Sequence, residues 1–260
     1  MLGGLHVAAI VPALDEERVI ARVVRGLRAL ATGDGPLIDR VIVVDNGSQD
    51  RTAERAAAAG AVVVHEPQRG YGGACLRGIA AATEADAIIF VDGDGSCDPE
   101  DGRALLRAIG AGADLSIGVR LPQWREAGAL TLPQAIGNRI AVAMIRMLWG
   151  VRYRDLGPYR AIRTEALHRL RMRDRSFGWT VEMQVRAITD GLRVCEVPVR
   201  TRRRIGVSKI SGTLCGVLGA AKGIIGTILR LRFEHLRSAR SAAVDARGRE
   251  SLLIVDQDAR

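Results

Sequence analysis

The residues best placed to do chemistry in this chain are acids spaced by glycines: Asp92-Gly93-Asp94-Gly95-Ser96, at the end of an apolar run. Two carboxylates two residues apart, released from strand geometry by glycine, can hold a hard divalent ion whose other ligands are water and phosphate oxygens. The bland alternative is a solvated turn, which leaves unexplained why acids end other apolar runs too. A calcium-binding loop is a second competitor, with Asp92, Asp94 and Ser96 at its first, third and fifth positions. It fails because Cys97 replaces the turn glycine and Arg103 the closing glutamate. A second group, Asp45-Asn46-Gly47-Ser48-Gln49-Asp50-Arg51-Thr52, leaves another apolar run and opens a helix that Asp50 is suited to cap. Asp45, at the sheet edge, can accept hydrogen bonds from a nucleobase or ribose. Gly70-Tyr71-Gly72-Gly73 resembles a phosphate-cradling loop, but it follows a third strand and lacks the dinucleotide spacing, which disfavours a nicotinamide dehydrogenase.

These groups need a scaffold, and the first half of the chain supplies one by alternation. Residues 6–14, 40–46, 61–66 and 86–94 are short β-branched runs, and helix-length segments (Glu16 to Leu30, Asp50 to Ala59, Gly72 to Ala82, Pro99 to Ala108) lie between them. Such alternation predicts an α/β fold with a mostly parallel sheet covered on both faces, whose ligands bind at the carboxyl ends of the strands. Acids stand at three of those ends: Asp15 and Glu16, Asp45, then Asp92 and Asp94. Further strands are expected at 114–120 and 192–199, and helices at Gln134 to Trp149, Thr164 to Leu170, Trp179 to Thr189 and about Gly212 to Arg232. The tail beyond is polar. The chain thus divides into residues 1–235, with halves at 1–120 and 121–235, and a tail at 236–260.

Composition narrows the function classes. Residues 1–138 carry 13 Lys/Arg against 18 Asp/Glu, while 139–260 carry 25 against 11, and almost all the cations are arginine. The basic half suits phosphate, lipid head groups or nucleic acid. Aromatic residues at 3% argue against stacking on single strands, and the acid-lined first half against a basic nucleic-acid module, so no nucleic-acid partner is expected. The four cysteines are scattered, which fits a reduced compartment better than disulfides or zinc. The N-terminal run reads as a strand rather than a signal peptide, and Lys222 and several glycines interrupt the longest apolar stretch.

Eight motifs in order resemble the inverting family 2 glycosyltransferases, most closely their dolichyl- or polyprenyl-phosphate sugar transferase branch. They are VPALDEE (11–17), VVDNGSQDRT (43–52), RGYGGACLRGI (69–79), VDGDGSCDPED (91–101), GVR (118–120), DLGPYRAI (155–162), VEM (181–183) and RIGVSK (204–209). The resemblance implies a GT-A fold, a UDP- or GDP-linked sugar donor, usually Mg2+ or Mn2+, and a polyprenyl phosphate acceptor met at the cytoplasmic membrane surface. By the same resemblance, Pro12, Leu14, Glu16 and Asp45 bind the donor nucleoside. Asp92, Asp94 and Ser96 surround the metal, and Arg120, Arg204 and Lys209 bind donor or acceptor phosphate. A hydroxyl acceptor is the alternative; it would need a carboxylate to take its proton, and Asp155 and Glu182 are the candidates. Against that, Asp155 can pair with Arg154 or Arg160, and Glu182 with one of the many arginines. Arg200 and Arg202 are expected on a solvated basic face. Leu214, Val217, Leu218, Ala221, Ile225 and Ile228 form one stripe of the last helix, and Gly212, Gly216, Gly219, Gly223 and Gly226 another. That helix either lies at the bilayer interface or packs on the protein's own core or a second copy.

Overall fold

The structure, a computed structural model, describes residues 4–33, 35–206, 219 and 221–237. Along β1 (Val7–Ala13) successive side chains point to opposite faces and both faces are dry: Ala8 and Ile10 enter one core, Val7, Ala9 and Val11 the other. β4 (Arg40–Asp45) and β6 (Ala87–Phe90) divide their side chains in the same way, which is why all three strands are near-continuous apolar runs. With β5 (Val62–His65), β7 (Leu115–Val119), β8 (Arg160–Arg163) and β9 (Val194–Pro198) they form one sheet in the order β5-β4-β1-β6-β8-β7-β9. Every pairing is parallel except the two that β8 makes with β6 and β7. A separate two-stranded ribbon joins β2 (Ala31–Thr32) to β3 (Gly35–Pro36).

On one face lie α1 (Ile20–Arg28), α2 (Thr52–Ala58) and α4 (Gly102–Gly110), inserting Val23, Leu27, Ala56, Leu105 and Ile109. The other face is covered by α3 (Tyr71–Ala81), α5 (Leu132–Trp149), α6 (Thr164–Leu170), α7 (Trp179–Thr189) and α8, at 221–237. Trp179 meets Phe90 edge-to-face at 5.9 Å between ring centroids.

The expected elements are present with three differences. The strand expected over 86–94 leaves the sheet at Phe90, because the glycines beyond it serve a turn. β8 carries no strand pattern in Arg-Ala-Ile-Arg, since a buried arginine breaks the apolar alternation. Arg160 is fully buried and is held by carbonyls instead: Nε donates to Gly157 O at 3.2 Å and Nη1 to Thr180 O at 3.0 Å. α8 runs through 237, past the boundary expected at 235, and it packs on the core through Ile228 and Leu231. Ile228 therefore does not share an exposed stripe with Ile225. Leu214, Val217 and Leu218 lie outside the described residues, as does the tail from 238 onward.

Candidate active site

Parallel pairing brings the carboxyl ends of β1, β4 and β6 to one edge: Ala13 stands in register with Asp45, and Ile10 with Phe90. Beyond Phe90 the chain still follows β1. Val91 N donates to Ile10 O at 3.0 Å and Gly93 N to Pro12 O at 3.3 Å. A Cβ on Gly93 would stand 3.0 Å from that Pro12 oxygen, and Gly95 turns the chain in the left-handed region at φ +72°. Close approach and turn together account for the Asp-Gly-Asp-Gly spelling. The loops after β1 and β4 are pinned to each other: Asp15 N donates to Ser48 Oγ at 3.0 Å, Glu16 N to Thr52 Oγ1 at 2.7 Å, and Gln49 N to Asp15 Oδ1 at 2.8 Å. Asp50 accepts from Thr52 N at 2.9 Å, but it stands one residue before the N-cap of α2, which is Arg51 rather than the expected Asp50.

Against the acid turn runs the segment after β9. Ile205 N donates to Asp94 O at 3.1 Å and Arg202 N to Ser96 O at 2.8 Å. Arg200 and Arg202 are not merely solvated: Arg200 pairs with Asp101 at 2.8 Å, and Arg202 with Asp98 at 2.7 Å, fastening this segment beneath the turn. Arg204 then reaches across the acids, with Nη2 2.9 Å from Glu16 Oε1 and Nη1 3.7 Å from Asp94 Oδ2. Its buried Nε has no hydrogen-bond partner among the described residues. Asp92 Oδ1 accepts from Tyr71 Oη at 3.1 Å. Lost hydration and the neighbouring Asp94 charge push the Asp92 carboxyl up to about 7.

Asp155 is locked. Arg120 donates to it through Nε and Nη2, both at 2.7 Å, and through its backbone N–H at 2.9 Å. Burial acts to raise this carboxyl, but the hydrogen bonds and charge of Arg120 outweigh it and hold the group below the ordinary carboxylate range. The partner is Arg120 rather than Arg154 or Arg160. Gln184, buried on α7, donates to Asp155 O at 3.0 Å and so holds the backbone of this residue. A cavity of about 310 Å³ is lined by Asp92, Asp94, Ser96, Arg120 and Arg204, together with Arg203, Tyr159, Thr131 and Gln134; Asp155 lies outside this lining and is joined to it by Arg120.

The structure thus brings together five of the expected site residues. Pro12, Leu14, Glu16 and Asp45 lie outside the cavity lining, on the strand ends beside it; Glu16 is joined to the cavity by Arg204. Asp45 is buried, accepting from Ser48 N at 3.1 Å and standing 3.2 Å from His65 Nδ1. Lys209 lies outside the described residues. Glu182 is not at the site: fully buried on α7, it accepts from the backbone of Arg173 and Asp174 and pairs with Arg186 at 3.0 Å and Arg230 at 3.7 Å. The glycines around Tyr71 serve packing rather than a phosphate, since a Cβ on Gly70 or Gly72 would strike the backbone of Arg175 or Asp174. Tyr71 and the Thr131–Gln134 wall went unseen in the sequence, although Thr131-x-x-Gln134 spells the capping box that opens α5.

The donor set can be tested for a metal. Among the described residues no group of three His, Cys, Asp or Glu side chains could form a complete protein cage. Asp92 and Asp94 instead offer two oxygens-only donors whose mutual repulsion a cation would relieve. That fits an ion such as Mg2+ or Mn2+ completed by water and phosphate.

A doubly covered, mostly parallel sheet with an acid pair at its strand ends, sharing a cavity with arginines, is the arrangement of a GT-A-type fold. Residues 8–171 match the model of glycosyl transferase family 2, and the chain belongs to that family. It is 38% identical over 222 residues to an uncharacterised glycosyltransferase of Mycobacterium tuberculosis, covering 83% of this chain and 94% of the relative. It is 34% identical over 187 residues to the polyprenol monophosphomannose synthase of Mycolicibacterium smegmatis, covering 66% of this chain and 71% of that one. Among solved structures it is similar to glucosyl-3-phosphoglycerate synthase from Mycobacterium tuberculosis in complex with Mn2+, UDP-glucose and phosphoglyceric acid. The TM-score is 0.72 at 25% identity, over 88% of this chain and 80% of that one. The chain is a glycosyltransferase with the GT-A fold. No helix among the described residues is long and apolar enough to cross a membrane.

Proposed function

We propose that this glycosyltransferase moves a sugar, with inversion, from a UDP- or GDP-linked donor to a polyprenyl phosphate at the cytoplasmic membrane surface. The observation that carries the acceptor is the state of Asp155. Asp155, the carboxylate the sequence offers to take a proton, lies outside the cavity lining and is held, charged, by three bonds from Arg120, and among the described residues Asp92 and Asp94 are the acids that line the cavity. A hydroxyl nucleophile needs a base there; a phosphate monoester, with its second pKa near about 6, is already nucleophilic at neutral pH. The likeness to a polyprenol monophosphomannose synthase supports the same acceptor.

In this scheme Asp45 and Glu16, with Pro12 and Leu14, bind the nucleoside end of the donor at the ends of β1 and β4. Asp92 and Asp94 hold the divalent cation, with Ser96 beside them, and the ion when bound offsets the charge that gathers on the departing diphosphate. Arg204, Arg120 and Lys209 contact phosphate oxygens of donor or acceptor. The nucleophilic oxygen attacks the anomeric carbon from the side opposite the leaving diphosphate, and no protein group has to accept a proton.

A second acceptor is favoured by the structural likeness to glucosyl-3-phosphoglycerate synthase, seen there with phosphoglyceric acid. On that alternative the nucleophile is the hydroxyl of a small soluble acid. Incubation with a panel of UDP- and GDP-sugars, plus either a short polyprenyl phosphate or phosphoglyceric acid, separates the two by product mass. The configuration of the new bond in the product's NMR spectrum tests inversion. Transfer to phosphoglyceric acid with none to polyprenyl phosphate overturns the proposal.

A further inference from the structure

The outward side of α5 is the least expected surface of the molecule. Leu132, Ile136, Ile140, Ala143 and Met147 are all exposed, Leu132 to 73% and Met147 to 75%. At about 100° per residue these five positions fall within one stripe roughly 80° wide. The opposite side, Ala141 and Ile145, is buried in the core, so α5 is apolar on both sides. A large apolar stripe left in water marks an interaction surface. Two further observations say what covers it. Arg139 and Arg146 are exposed along one edge of the stripe, and Leu132–Trp149 contains no Asp or Glu at all. A second copy of the same face would therefore meet cations with cations. The first turn of the helix also opens on the cavity, since Thr131 and Gln134 line it on either side of Leu132.

We infer that the outward face of α5 docks the protein on an anionic lipid bilayer, with the first turn of the helix delivering a lipid-borne phosphate into the cavity. The placement rests on the acceptor proposed above and deepens it. Ile136, Ile140 and Met147 enter the acyl boundary while Arg139 and Arg146 meet the head groups, so the helix lies in the membrane plane. The sequence left the last helix open between this role and packing on protein. α8 packs on the core by Ile228 and Leu231 while Leu229 and Phe233 stay exposed, and it meets the end of α5 where Arg232 stacks on Trp149 at 5.8 Å.

Co-sedimentation of the full-length protein with phosphatidylglycerol–phosphatidylcholine vesicles tests the inference. Ile136→Gln/Ile140→Gln should weaken vesicle affinity roughly tenfold or more, because two half-buried aliphatic side chains are lost from the lipid. Arg139→Gln/Arg146→Gln should weaken it on phosphatidylglycerol vesicles only, and added salt should erase that difference. All four positions are exposed, so thermal unfolding should be unchanged. Wild-type affinity in the isoleucine double variant overturns the inference, as does binding lost only on Leu229→Gln/Phe233→Gln, which would move docking to α8. A lipid-free dimer in sedimentation velocity that the isoleucine variant dissolves would assign the face to a second copy and overturn it as well. Transfer to a short polyprenyl phosphate in detergent checks the acceptor separately. Its absence in the wild type defeats the acceptor proposal, whereas its retention in the isoleucine variant assigns the vesicle defect to docking.

Discussion

The two acidic groups beside the cavity, one lining it and one joined to it through Arg120, are built in opposite ways. Asp92 and Asp94 stand together with Tyr71 hydrogen-bonded to the first and Arg204 3.7 Å from the second, and Asp92 is pushed up to about 7. Asp155 stands with one arginine that meets it through three bonds, and it is held down. Each is an aspartate in or beside the cavity wall, yet the first pair meets a guanidinium only at 3.7 Å while Asp155 is saturated by three bonds from Arg120. What a carboxylate can do therefore follows from the cation beside it rather than from its nearness to the cavity. The first side suits a bound metal ion; the second suits a fixed guanidinium.

The sharpest way to break this contrast is Asp94→Asn. With the metal ligand gone, turnover should fall on the order of 10³-fold. Thermal stability should hold or rise, because a like-charge repulsion is removed. Activity assayed across a Mn2+ titration decides it, and wild-type turnover at saturating metal would remove Asp94 from the metal site. Next in size is Arg204→Ala, which deletes charge-assisted contacts worth about 1.5 to 3 kcal/mol, or roughly ten- to a hundredfold in use of the phosphate-bearing substrate. Steady-state kinetics with donor and acceptor varied in turn locates the loss.

Asp155→Asn should invert the pattern seen at Asp94. Leaving Arg120 without its carboxylate costs about 3 kcal/mol of stability, a fall in Tm of roughly 6 to 12 °C, while turnover on a phosphate acceptor drops less than about tenfold. Loss of a general base would instead cost about 10² to 10⁴. The activity profile provides the sign: with a phosphate acceptor, turnover rises as pH passes about 6 because the substrate deprotonates, and the rise survives in Asp155→Asn. A variant that loses that limb would make Asp155 the titrating base. The smallest effect belongs to Tyr71→Phe. Removing the hydrogen bond to Asp92 Oδ1 should cost about 1 kcal/mol, about fivefold in apparent Mn2+ affinity, with turnover at saturating metal nearly unchanged.

Much of this was legible before any coordinates. Parallel strands ending in Asp15, Asp45 and Asp92 follow from period and punctuation, since a strand buried on both faces has to be apolar throughout and its exit has to be polar. The Asp-Gly-Asp-Gly turn is equally local: its glycines answer to a close approach and a positive φ within a few residues of the acids. The bond from Thr52 N to Asp50 and the helices over both faces belong to the same short-range chemistry.

Contacts over long separations were not legible, and they decide the roles. Arg120 and Asp155 are 35 residues apart, Arg204 and Glu16 188, and any of several arginines satisfied the pattern equally well. A chain rich in arginine specifies that its acids will be paired, whereas the sheet order specifies with which. Arg160 was hidden for a related reason: burial of a charge on carbonyl oxygens leaves no apolar period to read. The two candidate membrane helices show the limit most plainly. α5 and α8 both carry apolar residues at helical spacing, and a stripe does not record whether it faces lipid or core. Only the packing shows that Ala141 and Ile145 of α5 and Ile228 and Leu231 of α8 turn inward while Ile136 and Leu229 turn outward, because burial is a property of what neighbours an element in space.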